Sequence, residues 1–133
     1  MSQENVEVAK RFLAAFAERD FEAGARFLDP AVEVRPAIVG GPEGTVYRGP
    51  AGMKQFWADV DAAWAEFRIA PEDFRDLGAE VLVLGRAHAR GRDSGVVLDT
   101  PAGWIARVRE GRIVGFQSFS HQRDALEAAG LAE

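Results

Sequence analysis

The chain has 133 residues, 47% of them hydrophobic and 10% aromatic, a composition that fits a globular core and excludes disordered and fibrous classes. A net charge of −5, from 16 basic and 21 acidic residues, argues against nucleic acid and anionic membranes, since phosphate binding needs a concentrated basic patch. With no cysteine and 2 histidines, His88 and His121, the chain offers no disulfide, no thiolate nucleophile and no multi-histidine metal site, so no metal or cofactor is expected.

Val6, Ala9, Leu13 and Phe16 recur at helical spacing and predict a first helix over residues 3–18, its stripe widened by Val8, Phe12 and Ala15. Asp20 is a good N-cap for a short second helix carrying Phe21, Ala25 and Leu28, which Asp29-Pro30 ends. Residues 32–35 alternate as a short strand stopped by Pro36. Residues 40–44, rich in Gly and Pro, read as a mobile loop, flanked by Arg35, Tyr47 and Arg48, which could close over an anionic or carbonyl ligand. Gly49-Pro50 opens a third helix whose broad aromatic face runs Met53, Trp57, Val60, Trp64 and Phe67.

Strands are predicted over residues 67–74, 80–90, 96–109 and 112–120. On the second of them Arg86 and His88 share a face with Leu82 and Leu84, and Val81, Val83, Gly85, Ala87 and Ala89 form the other. If the first face is concave, His88 is the general acid-base candidate with Arg86 as its oxyanion partner. If the second is concave, both lie outside, at a dimer contact. The last two strands read as a hairpin with a three-residue loop, because a two-residue turn would need positive φ at Glu110. That loop pairs Val108 with Arg112 and Trp104 with Phe116. Trp104, Ala106, Val108, Val114, Phe116, Ser118 and Ser120 then share one face, and Ile105, Arg107, Ile113, Gly115, Gln117, Phe119 and His121 the other. A closing helix over residues 122–129 stops at Gly130, with Leu131 as its hydrophobic contact.

This order predicts one α+β domain over residues 1–133, a cone-shaped α+β barrel with three N-terminal helices packed on a strongly curved, mainly antiparallel sheet. The space between helices and sheet is the expected ligand site. Phe12, Phe16, Trp57, Trp104 and Phe116 would line it, Ser118 and Ser120 would supply polar groups, and Arg35 and Tyr47 would stand at the loop. A collapse of Trp57, Trp64 and Trp104 onto one another would leave no such void and point to a non-catalytic interaction module. His121 is a lesser catalytic candidate, because the predicted pairing turns it away from the Trp104 face. Ile105, Ile113 and Phe119 on the outer face predict a homodimer. The absence of a leader pattern and of a bilayer-length apolar run predicts a cytoplasmic protein.

The run Glu7-Val8-Ala9-Lys10-Arg11-Phe12-Leu13-Ala14-Ala15-Phe16 followed by Asp20-Phe21-Glu22 resembles the opening of SnoaL-like proteins of the nuclear transport factor 2-like superfamily. Tyr47-Arg48-Gly49-Pro50, the Arg109-to-Val114 hairpin and the closing Ala125-Leu126-Glu127-Ala128-Ala129-Gly130-Leu131 fit in the same order. The resemblance implies the cone fold and a small, mostly apolar ligand; the fold also carries isomerases, cyclases and hydrolases, so it assigns no reaction. It implies that the ketosteroid isomerase tyrosine falls on Phe12, its oxyanion aspartic acid on Trp104 and its base near Val34 or Arg35, which removes that mechanism. The carboxylate of limonene epoxide hydrolases falls on Ser118. The resemblance implies an aspartate and histidine set for the polyketide cyclases but does not assign it to particular residues here. A cyclase, isomerase or hydratase using His88 with Arg86 stands as the alternative.

Overall fold

The computed structural model describes residues 2–37 and 45–131; the loop predicted over residues 40–44 lies outside them. The elements run α1 (Ser2–Glu18), α2 (Phe21–Ala25), β1 (Leu28–Arg35), β2 (Tyr47–Arg48), α3 (Gly49–Ala63), β3 (Trp64–Asp76), β4 (Glu80–Gly91), β5 (Val97–Arg109), β6 (Arg112–Phe119) and α4 (Gln122–Ala128). This is the expected α+β arrangement, with one six-stranded sheet in the order β2-β1-β6-β5-β4-β3. The sheet is open, ending in β2 and β3, and β1–β6 is its one parallel pairing among the described residues.

Local chemistry accounts for most boundaries. Asp20 caps α2 by accepting the Ala23 N–H at 3.1 Å. The helix ends at Ala25, earlier than predicted, because Leu28 already pairs with Ile113 in the β1–β6 ladder. Pro30, predicted to stop a helix, sits inside β1 where the register shifts between Leu28 and Glu33, so its missing N–H breaks no regular ladder bond. Helix α3 ends at Ala63, and Trp64 is already extended at φ −122° and ψ 131°. The sequence reading put Trp64 and Phe67 on that helix. A register shift between Trp64 and Glu66 at the start of β3 offsets the strand alternation there, so a spacing of three mimics a helical repeat. At the other end of the chain Gly130, at φ 77°, closes α4: the Gly130 N–H donates to Glu127 at 3.0 Å and the Leu131 N–H to Leu126 at 2.8 Å.

The sheet buries both faces. Val81, Val83, Ala87, Ala102, Trp104, Ala106, Val108, Ile113 and Phe116 pack with Ala9, Phe12, Leu13 and Phe16 of α1 and with Met53, Phe56, Trp57 and Val60 of α3. On the outer face Leu82, Leu84 and Ile105 pack with Ala125 of α4, and Phe119, Leu126 and Ala129 lie against them. Helix α4 can come this close because residue 103 is glycine: a Cβ there would stand 2.6 Å from the Ala125 methyl. The outer apolar patch that predicted a dimer is therefore largely covered within the chain.

The β5–β6 hairpin differs from its expected form. Arg109 pairs with Arg112, so the turn has two residues, Glu110 at φ 53° and Gly111 at φ 77°. Positive φ costs Glu110 roughly 1–2 kcal/mol, and the turn gains a twist that matches the strands. A register shift between Arg107 and Val108 then sets Trp104 opposite Ser118 and Ala106 opposite Phe116. These pairs differ from the expected ones by two residues, so their faces are unchanged. Nearer the turn the faces do change: Ile113 stands opposite Val108 and is fully buried in the main core, and Val114 becomes the extra residue.

Candidate functional site

Between α1, α3 and the inner sheet face lies an apolar throat. Phe12, Leu13 and Phe16 of α1, Phe56 and Trp57 of α3, and Phe67 and Ile69 of β3 line it, with Trp104, Phe116 and Pro36. The single hydroxyl in the lining is Ser118, which has no hydrogen-bond partner among the described residues. The rings interlock edge to face: Phe16 and Trp57 centroids stand 5.2 Å apart, Phe12 and Phe116 5.5 Å, and Phe16 and Phe67 6.2 Å. This packing leaves a cavity of about 20 Å³, room for a single water.

The throat thus gathers Phe12, Phe16, Trp57, Trp104, Phe116 and Ser118 as expected, and adds Leu13, Pro36, Phe56, Phe67 and Ile69. Phe67 and Ile69 both fall on the strand predicted over residues 67–74, and their alternation there was the signal available for the last two; in the sheet they stand across from Ala89 and Ala87. Trp64 stands apart, tilted against Phe67 at 6.5 Å with its buried indole N–H unpartnered among the described residues.

Ser120 does not reach the throat. It lines a neighbouring recess of about 220 Å³ with Phe67, Ala87, Ala89, Leu98, Thr100 and His121. Phe67 borders both spaces. Strand pairing puts Ala87 opposite Thr100 and Ala89 opposite Leu98, on the inner face. His121 was expected to point away from this side; β6 ends at Phe119, so strand alternation does not extend to it.

Arg35 and Tyr47 also leave the throat. Arg35 pairs with Glu33 at 3.1 Å on the outer side of β1, beside the buried inward Val34. The Tyr47 hydroxyl donates to Asp59 at 2.6 Å and its ring packs on Phe56. Burial, followed by the Asp59 hydrogen bond, pushes the phenol up to about 12. Folding therefore favours the neutral phenol: this contribution is complete below pH ~10, the unfolded value, and is lost as pH rises through about 12. The chain has 1 tyrosine, so an ultraviolet absorbance titration should show one transition near pH 12 in the folded protein, and Tyr47→Phe should remove it. A midpoint at the ordinary phenol value would contradict the contact.

Arg86 and His88 face outward, on the side that α4 partly covers, so the concave face required for the catalytic reading of His88 is not theirs. Arg86 Nε donates to Asp99 Oδ1 at 2.8 Å, and Nη2 to the Asp99 carbonyl at 3.0 Å. His88 lies between Asp99, 3.5 Å away, and Glu66, 3.6 Å away. The Arg86 hydrogen bond first, and His88 more weakly, hold the Asp99 carboxyl below its ordinary range against partial desolvation. Such half-exposed pairs add little stability. Among the described residues no cluster of His, Asp and Glu could hold a metal ion, and no helix is long and apolar enough to cross a membrane.

The SnoaL-like domain family matches residues 9–116. The chain belongs to the SnoaL-like family. Solved structures share the fold of this SnoaL-like protein closely. TerC, co-crystallised with polyporic acid, is 23% identical over 96% of this chain and 98% of its own, with a TM-score of 0.76. An NTF2-like protein from Burkholderia pseudomallei is 22% identical over 93% and 95%, with a TM-score of 0.78. A protein with a ketosteroid isomerase-like fold from Catenulispora acidiphila, in complex with trimethylamine, is 17% identical over 94% and 93%, with a TM-score of 0.75. At these identities the likeness concerns the fold. A search of curated proteins finds no match.

Proposed function

We propose that this SnoaL-like protein binds a small, mostly apolar metabolite between α1, α3 and the inner face of the sheet, without a reaction being assigned. One observation carries this reading: an aromatic throat whose lining holds a single hydroxyl, that of Ser118, unpaired among the described residues. Ligands in the TerC and Catenulispora acidiphila structures support it by analogy of fold. The filled throat sets a condition. An incoming group must displace rings, and only an apolar group replaces the contacts they lose.

Equilibrium dialysis with naphthalene is expected to show saturable binding. Ser118→Phe fills the throat from its rim; overpacking of roughly 1–3 kcal/mol should weaken that binding about tenfold or more. No saturable binding, or binding untouched by Ser118→Phe, would overturn the proposal.

Homodimerisation through the outer sheet face belongs to the same proposal on a narrower base. With Ile113 turned inward and Ile105 under α4, the face offers a second copy the half-buried Phe119 and the Glu66–His88–Asp99–Arg86 ladder. Light scattering at micromolar concentration should give twice the chain mass, and a single chain mass would rule the dimer out.

A further inference from the structure

A roomier part of the inner face than the throat lies beside it. At this end of β4 the inward residues shrink from Val81 and Val83 to Ala87 and Ala89, which leaves a hollow of about 220 Å³ against about 20 Å³ in the throat. The hollow is partly open to solvent and has room for an oxygen-bearing group without rearrangement.

The hollow also collects polar groups that the fold leaves unused. The backbone carbonyl of His121 is committed, accepting the Asp124 and Ala125 N–H groups at 3.1 and 3.3 Å as α4 begins. Its imidazole makes no capping bond and no ion pair among the described residues. The Ser120 hydroxyl has no partner among them, and the Thr100 hydroxyl has only a long 3.4 Å bond to the next residue's carbonyl. Two hydroxyls and an imidazole thus converge on alanine and phenylalanine surface, as in small-molecule sites. None of the lining groups is a carboxylate, lysine or arginine, so the chemistry suits an uncharged oxygen.

The geometry points to this recess as the seat of the oxygen-bearing end of the ligand, a phenol, enol or ketone group, with His121 as its hydrogen-bonding partner. The inference rests on the throat reading: Phe67 borders both spaces, so one molecule can lay its apolar body in the throat and its oxygen at His121.

Naphthalene and 2-naphthol differ by one hydroxyl and separate the two readings. Wild-type protein should favour 2-naphthol by roughly three- to tenfold, the contribution of one hydrogen bond. His121→Ala with Ser120→Ala, both at exposed positions, should remove that preference and leave naphthalene binding unchanged. The chain has 2 histidines, so proton NMR gives an independent readout: 2-naphthol should move the His121 Cε1–H resonance and leave that of His88 in place. Equal affinity for the two compounds, a preference that survives the double variant, or a shift at His88 alone would overturn the recess while the throat stands. If neither compound binds, both readings fall.

Discussion

Replacing Trp104 by alanine should cost about 3–5 kcal/mol, the range for emptying a large buried aromatic from a core that relaxes only in part. Trp104 is 1% exposed and stands on β5 at the floor of the throat. Urea unfolding followed by circular dichroism would show it as a fall in midpoint at nearly constant slope. The same substitution removes an aromatic wall from a cavity now holding space for one water, so the variant that folds least well should bind naphthalene more tightly than wild type. Trp64 provides the contrast. Its buried indole N–H lacks a partner among the described residues, a defect that typically costs about 1–3 kcal/mol, so Trp64→Phe should be neutral or stabilising. A loss under about 1 kcal/mol for Trp104→Ala would mean that the throat is not a packed centre of the fold.

What could be read from the sequence followed from parity and periodicity. Trp104, Ala106, Phe116 and Ser118 landed on the expected face although the turn was misjudged, because a register error of two residues preserves every orientation. Ile113 was misplaced where the extra residue Val114 interrupts that parity. His121 lies two residues past the end of β6, where the chain bends into α4 and no two-residue rule holds. Arg35 and Tyr47 were drawn toward the site by residue type; their hydrogen bonds to Glu33 and Asp59 are set by strand register and helix packing that composition does not contain. The residue types of the throat were legible, whereas its free volume depends on the tilt of each ring. The recess was missed for a related reason: Ala87 and Ala89 were recognised as a small-residue face, but a hollow forms only when Phe67 and His121 arrive from β3 and the end of β6.

Gly85→Ala should be more damaging than its size suggests. A Cβ at residue 85 would stand 2.2 Å from the Ala70 carbonyl oxygen and 2.9 Å from the Pro71 Cα, both on the neighbouring strand's backbone. No side-chain rotation can relieve a clash with backbone, so β3 would have to move away from β4 along its length. The strand already departs from regular pairing there, between Pro71 and Asp73, and among the described residues it is an edge strand with no partner on its other side. The expected cost is about 3 kcal/mol or more, a fall in melting temperature on the order of 10 °C. Gly78→Ala is the control: its φ of +86° is unfavourable for alanine, but nothing lies within 4 Å of a Cβ there, and only about 1–2 kcal/mol of backbone strain is expected. The difference between the two reaches the ligand site, because β3 carries Phe67 and Ile69 into the throat and Phe67 into the recess. Gly85→Ala protein that still folds should therefore lose naphthalene binding and the preference for 2-naphthol together, whereas Gly78→Ala should keep both. Melting within about 3 °C of wild type for Gly85→Ala would show that β3 can yield, and that the wall it gives the ligand site is not held by this contact.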